Sequence, residues 1–312
     1  MSAPKNAGRK EKASPDFPRL ARKMAEASRD DTTSKLPSGL YVVATPIGNL
    51  GDITLRALWV LGRADCIACE DTRLSGTMLT QFGIEKKLLP YHDHNAEKAR
   101  PEILRKLGQG QSVALISDAG MPLIADPGFK LVRACREADY DVTVIPGANA
   151  ALAALAGCGL PTDRFFFVGF LPPKSAARRK ALENLPADTT LVFYEAPQRL
   201  GETLADLETA FGAARPAAVA RELTKFFEET RAATLGELAR HYGTYAAKGE
   251  IVIVVAPGEK KIADAGAIDD LLRRHLKTLS LRDAVAAVSE ATGARKNEVY
   301  TRALGLRDGS GS

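Results

Sequence analysis

The sequence predicts an α/β protein with a mostly parallel sheet in a first domain, a mixed sheet in a second, and a small helical domain at the C-terminus. Three observations carry this. Short apolar segments alternate with helix-patterned segments between residues 40 and 156, as in a parallel sheet with crossover helices. Further on, candidate strands follow one another without a helix between them, which calls for antiparallel pairs. Residues 267–306 hold three helix patterns, the last two separated by the tight turn Thr292-Gly293-Ala294.

Met1–Ser38 is polar, charged and Pro-dotted, so a disordered basic arm is expected there. Leu40–Thr45 (LYVVAT) reads as the first strand. The turn-rich PIGNLGD follows, then a helix with Leu55, Leu58, Trp59 and Leu61 at helical spacing and Gly62 at its end. Asp65–Cys69 is a strand, Thr72–Phe82 a helix, Lys87–Tyr91 a short strand and Asn95–Leu107 a helix. Val113–Ser117 is a continuous apolar run, as a strand covered on both faces would be. Phe129–Ala138 is a helix, Val142–Ile145 a strand and Asn149–Ala156 a helix; Gly157–Pro161 then ends the first domain, placed at residues 39–157.

The second domain is placed at residues 158–258. Its expected strands are Phe165–Phe170, Thr189–Tyr194, the adjacent pair Ala217–Arg221 and Phe226–Thr230, and Glu250–Ala256. Its helices are Lys174–Leu185, Gln198–Phe211 and Leu235–Tyr242. Residues 259–312 are read as a polar linker, Glu259–Gly266, and the helices Ile268–Lys277, Leu281–Ala291 and Lys296–Leu304, with Ser280 as an N-cap and helix-turn-helix spacing.

Composition sets the class. Hydrophobic residues make up 45 % of the chain, yet no apolar run approaches the ~20 residues of a membrane span. Met1–Pro37 has no apolar core of the signal-peptide kind, so a soluble, cytoplasmic protein without membrane association is expected. Of the net charge of +5, residues 1–38 contribute +4 through nine Lys/Arg against five acids. Such an arm suits an anionic polymer, the alternative being a solvated extension. Cys66 and Cys69 form a C-x-x-C, but residues three apart on a strand face opposite sides and no second pair follows. Structural thiols, and no metal site, are expected.

Chemistry points to the carboxyl edge of the first sheet, where open α/β sheets bind ligands. The fourth strand runs into SDAGMPLIADPG (Ser117–Gly128), whose glycines and prolines fix the backbone beyond what a simple crossover needs. The plainer alternative is a tight turn with Asp126 as helix N-cap. No G-x-G-x-x-G, Walker A, HExxH or G-x-S-x-G motif occurs, so nicotinamide, nucleoside triphosphate, zinc-hydrolase and serine-hydrolase chemistry lack support. Glu70 and Asp71 end the second strand, and His92, Asp93, His94 and Asn95 follow the third. They offer a base or an orienting group, and Arg73 a phosphate clamp. The plainer readings are Asp71 as an N-cap paired with Arg73, and Asn95 as a cap of the next helix.

Eight blocks occur in order: ATPIGNLGD (44–52), CEDTR (69–73), YHDHN (91–95), ISDAGMPLIADPG (116–128), VIPGANA (144–150), FFFVGFLP (165–172), FYEAPQRL (193–200) and RELTKFFEE (221–229). Together they resemble the rRNA-modifying branch of the tetrapyrrole (corrin/porphyrin) methylase superfamily, over Leu40 to about Leu306. The resemblance implies a two-domain tetrapyrrole-methylase-like fold with S-adenosylmethionine in the interdomain cleft. It further implies 2′-O-methylation of a cytidine ribose in the decoding region of 16S rRNA, with the small ribosomal subunit as substrate and usually a homodimer as the active species. The cofactor-binding residues it implies are Pro46 and Gly48; Ser117, Asp118, Ala119, Gly120, Met121, Ile124 and Ala125; Gly147, Ala148 and Asn149; and, from the second domain, Tyr194 and Glu195.

The catalytic candidates are Glu70, Asp71, Arg73 and His94. Lys174, Arg178, Arg179 and Lys180, at the start of a basic helix, with Arg199 and Lys225, are the candidate RNA contacts, since phosphate contacts position RNA without reading its sequence. A solvated helix face is the alternative for the basic helix. The superfamily's usual Gly-Asp-Pro is Ser117-Asp118-Ala119 here, a departure that speaks against a tetrapyrrole substrate. Two further readings stay open: a C-methyltransferase acting on a tetrapyrrole precursor, and a non-catalytic RNA-binding or ribosome-assembly factor.

Overall fold

The computed structural model describes residues 35–258 and 265–308. The described residues form two compact units: one takes in residues 35–153 together with Leu223–Phe226, the other Ala154–Glu222 and the described residues from Phe227 on. The expected basic arm lies mostly outside the described residues, and so does most of the 259–266 linker. Residues 35–38 do not belong to an arm. Leu36 is buried, and the Ser38 hydroxyl donates to the carbonyls of Leu107 (3.4 Å) and Gln111 (3.1 Å), which ties this short stretch to the first unit.

The first unit is a five-stranded sheet of β1 (Gly39–Val43), β2 (Cys66–Cys69), β3 (Leu88–Pro90), β4 (Ser112–Leu115) and β5 (Val142–Ile145), in the order β3-β2-β4-β1-β5. Every pairing in it is parallel. The helices α1 (Leu55–Arg63), α2 (Thr72–Gln81), α3 (Ala96–Gly108) and α4 (Phe129–Glu137) supply the crossovers. Burial on both faces explains the continuous apolar strands. Tyr41, Val43, Ile67 and Ala114 pack into one core with α1, while Leu40, Val42, Val113 and Leu115 pack into another with α3 and α4. Cys69 falls in the first core and Cys66 in the second, both as free, buried thiols whose pKa burial raises, so they are structural.

The helix α5 (Ala150–Gly157) leads into the second unit. Its sheet comprises β6 (Phe165–Phe170), β7 (Thr190–Glu195), β8 (Pro216–Arg221), β9 (Glu229–Thr234) and β10 (Ile251–Val255), in the order β6-β7-β10-β8-β9. Only β6 and β7 are parallel; the other pairs are antiparallel, which makes the sheet mixed as expected. The helices α6 (Ser175–Leu182), α7 (Leu200–Phe211) and α8 (Leu235–Thr244) accompany it.

One strand differs from expectation. The pair of β8 starts at Glu229, not Phe226, because Glu222 (φ 51°) and Thr224 (φ 65°) are left-handed and turn the chain out of strand geometry first. At the C-terminus α9 (Ala265–His275), α10 (Leu281–Thr292) and α11 (Lys296–Asp308) enclose their own small core. The Ser280 side chain accepts from the Asp283 amide, and left-handed Gly293 (φ 69°) closes α10.

Candidate active site

The loops at the carboxyl ends of β1, β4 and β5 are tied to one another. Thr45 and Gly120 exchange main-chain hydrogen bonds, Thr45 N–H to Gly120 O at 2.9 Å and Gly120 N–H to Thr45 O at 3.2 Å. The buried Thr45 hydroxyl also donates toward the Ser117 carbonyl at 3.3 Å. A Cβ on Gly147 would lie 2.9 Å from that of Ala44, so the turn after β5 can approach the end of β1 this closely only with glycine. Between Gly120 (φ 81°) and Gly128, Leu123 (φ 72°) and Ala125 (φ 65°) are also left-handed. Such non-glycine positions cost about 1 kcal/mol or more each and persist only where their surroundings over-determine them. Asp118, Ala119 and Ala125 are exposed in this loop, while Ser117 and Gly120 are buried.

Asp126 does not cap α4. The N-cap is Gly128, and no side chain bonds the free amides. The residue before a proline is kept out of helical geometry, which leaves Asp126 outside the first turn. Burial, the Glu70 carboxylate and the Asp118 carboxylate push the Asp126 carboxyl up to about 6, against the pull of the Ser117 hydroxyl. Glu70 is raised too, first by burial and then by Asp118 and Asp93. The carboxylates after β2, β3 and β4 therefore sense one another.

Asp71 behaves in the opposite way. Its Oδ1 caps α2 by accepting from the Arg73 amide at 2.8 Å, and Oδ2 accepts from the Arg73 guanidinium at 2.8 Å. These bonds hold its carboxyl down at about 2. The Asp71 amide in turn donates to Asp118 Oδ1 at 3.1 Å, which joins the loops after β2 and β4. Asn95 stands at the N-cap position of α3, as one reading expected, but makes no side-chain cap: its side chain accepts from the His92 amide and donates to the Pro90 carbonyl, both at 2.9 Å, and so staples the turn after β3. Asn149 accepts from the Leu152 amide at 3.0 Å, at the start of α5.

The first unit thus brings together Pro46, Gly48, Ser117–Ala125, Gly147–Asn149, Glu70, Asp71, Arg73, His94 and, from the Leu223–Phe226 segment, Lys225. The second unit holds the other candidates. Tyr194 stands edge-on to Phe167 (5.0 Å) and Phe170 (5.6 Å). Three of these candidates carry bonds within the protein that their spacing alone does not show. The Glu195 carboxylate is buried; it accepts from the Ala196 amide (2.7 Å), Thr203 (2.5 Å) and Arg199 (3.0 Å), so its side chain is not open to a cofactor. Arg199 donates to that carboxylate and to the Leu171 carbonyl (2.8 Å), and its side chain stays partly exposed. Arg178 is fully buried, with Nε donating to Asp206 at 2.6 Å, and cannot reach a phosphate. Its neighbours Lys174, Arg179 and Lys180 are exposed.

Sequence reasoning singled out Asp126 only as a possible helix cap. This residue lines a pocket of about 360 Å³ that also includes His94.

Comparison with known proteins agrees with this architecture. Residues 39–239 match the family model of the Tetrapyrrole (Corrin/Porphyrin) Methylases, and residues 262–307 match that of the RsmI C-terminal HTH domain. The chain is 49 % identical over 278 residues to the ribosomal RNA small subunit methyltransferase I of Mesorhizobium japonicum, covering 88 % of this chain and 95 % of that one. A crystal structure of uroporphyrin-III-C-methyltransferase from Thermus thermophilus shares the fold, with a TM-score of 0.53 and 24 % identity, covering 70 % of this chain and 94 % of that one. Another structure of that Thermus enzyme, complexed with S-adenyl homocysteine, has a TM-score of 0.50 and 19 % identity, and covers 70 % and 97 % of the two chains. By these matches the chain belongs to the tetrapyrrole (corrin/porphyrin) methylases and, within them, to the ribosomal RNA small subunit methyltransferase I family.

Proposed function

We propose that this protein methylates small-subunit rRNA with S-adenosylmethionine, and that the acceptor is the 2′-hydroxyl of a cytidine in the decoding region of 16S rRNA. The observation that carries the reading is the loop Ser117–Ala125: bridged to Thr45 and held in left-handed turns, it offers main chain and one carboxylate, Asp118, at the edge where α/β sheets bind ligands. The relative from Mesorhizobium supplies the substrate class.

S-adenosylmethionine, when bound, supplies a methyl group on a sulfonium that is already a good leaving group. The residues fit it: Ala119, Ala125 and Gly147 are exposed and small enough for a ligand to reach the backbone, and Asp118 suits an ammonium. Gly147, Ala148 and Asn149, before α5, complete the cradle for the methionine end. In the transfer the acceptor oxygen forms a bond to the methyl carbon, the carbon–sulfur bond breaks, and the hydroxyl proton leaves. Alignment supplies most of the acceleration, ~7–11 kcal/mol at best, and a base adds roughly 10²–10⁴-fold. Among the candidates Glu70 suits the base: burial and the Asp118 and Asp93 carboxylates raise its carboxyl above the ordinary value, whereas Asp71 is locked to Arg73 and too weak. The exposed Lys174, Arg179 and Lys180 of α6 suit RNA phosphates. The resemblance adds a homodimer, which light scattering checks.

Labelled donor with purified small subunits tests the reading, followed by nucleoside mass spectrometry. Methyl on a cytidine ribose is expected; methyl on a base or on a porphyrin precursor overturns it. Glu70→Gln should lower kcat by roughly 10²–10⁴-fold with donor affinity unchanged.

A further inference from the structure

The pocket of about 360 Å³ lies between the first turns of α3 and α4, at the carboxyl ends of β3 and β4. Its wall brings together Asp93, His94 and Lys98 from one side and Asp126, Phe129 and Lys130 from the other. Nothing in the donor cradle uses it. Its volume suits one nucleoside, and its chemistry is that of a nucleotide site. Phe129 is 65 % exposed although it is a large apolar ring, and the Arg133 guanidinium stands 5.9 Å from its centroid. A ring held at a pocket mouth in this way is a stacking platform. Lys98 and Lys130, which share the pocket wall with the carboxylates of Asp93, Glu97 and Asp126, suit the phosphates flanking an inserted base.

From this placement we propose that the pocket receives the base of the nucleotide to be methylated, extruded from the RNA, with the Asp93 and Asp126 carboxylates reading its exocyclic amino group. Enzymes that do chemistry on a base take it out of the stack and read its Watson–Crick edge in a pocket, and extruding the nucleotide whose ribose is methylated would use the same device. A carboxylate accepts from the amino group of cytosine and opposes the carbonyl that uracil carries at the same position. The pocket also adjoins the chemistry. Asp126 belongs to the loop whose other end is the donor cradle, and it lies within electrostatic reach of Glu70 and Asp118.

This inference rests on the cytidine 2′-hydroxyl reading above, and the test separates the two. Full-length wild type, Phe129→Ala, Asp93→Asn and Asp126→Asn are assayed on small subunits carrying either cytidine or uridine at the nucleotide the wild type methylates. Calorimetry measures donor binding in parallel. Phe129→Ala should lower kcat/KM by about five- to a hundred-fold with donor Kd unchanged. The two Asn variants should narrow the preference for cytidine over uridine about tenfold or more, since an amide can donate to the uracil carbonyl. Unchanged kcat/KM and preference in all three overturns the pocket assignment, as does a donor Kd that rises with Phe129→Ala, which would make the pocket part of the donor site. Phe129 and Asp93 are exposed, so neither substitution removes core packing. Wild-type methyl found anywhere but on a ribose hydroxyl sinks the functional reading instead.

Discussion

The two units treat buried charge in opposite ways. In the second, Arg178 is fully buried but bonded to Asp206, which also accepts from Ser175 at 2.9 Å, and Glu195 is bonded to Arg199, Thr203 and a main-chain amide. In the first, Glu70 and Asp126 are pushed toward neutrality by burial and by other carboxylates. A paired charge holds a fold together, whereas carboxylates crowded at a ligand edge destabilise it and wait for a partner from outside. The contrast separates charges that build the molecule from charges that act.

Asp206→Ala presses hardest on this contrast. It removes the nearest partner of the buried Arg178 guanidinium, leaving the Pro173 carbonyl at 3.3 Å and Glu202 at 3.7 Å, and should cost about 3–5 kcal/mol of stability in denaturant titration, while the folded protein keeps its donor affinity. A loss below ~1 kcal/mol would show the pair to be as weak as a surface bridge. Asp118→Ala should do the reverse, weakening donor binding roughly 10- to 100-fold, the worth of a charge-assisted hydrogen bond, and RNA binding less. Equal loss of both would remove the loop from the donor site.

The smallest effect is a pH dependence at Asp126. Its folded pKa of about 6 lies above the ordinary 3.8, so its carboxyl is neutral in both states below about pH 4. As pH rises from about 4 to about 6 the unfolded chain ionises while the folded one still holds its proton, so stability falls across that window and levels off above it. Asp126→Asn stays neutral throughout, and its advantage should grow from nothing near about pH 3 to on the order of 1 kcal/mol by about pH 7 and stay flat above, discounted for partial exposure. Thermal melts at both ends of that range measure it.

Much of this was legible in the sequence because it depends on local pattern. Apolar runs such as Val113–Ile116 announce strands covered on both faces, and the order of the motifs announces which loops share an edge. What was hidden depends on partners distant in the chain. Nothing in KSAARRK says that Arg178 turns inward while Lys174, Arg179 and Lys180 stay out; Asp206, on the next helix, decides it. Glu195 and Arg199 stand four apart, a spacing that suggests an ion pair, yet the burial that closes Glu195 to ligands comes from tertiary packing. The residues FFEET alternate poorly, and the left-handed turns at Glu222 and Thr224 that delay β9 leave no compositional trace in non-glycine residues.

Those turns have a consequence for how the molecule is made. The stretch they create, Leu223–Phe226, belongs to the first unit, where Thr224 accepts from the Asn49 amide at 3.1 Å. The Lys225 side chain also occupies the space that a Cβ on Gly48 would need. A chain emerging from its N-terminus has the whole first sheet available long before this tetrapeptide is synthesised. Until translation passes Phe226, the turn after β1 lacks this support, and a nascent chain stopped earlier would hold its parallel sheet with one of the loops at the sheet's carboxyl edge unfinished.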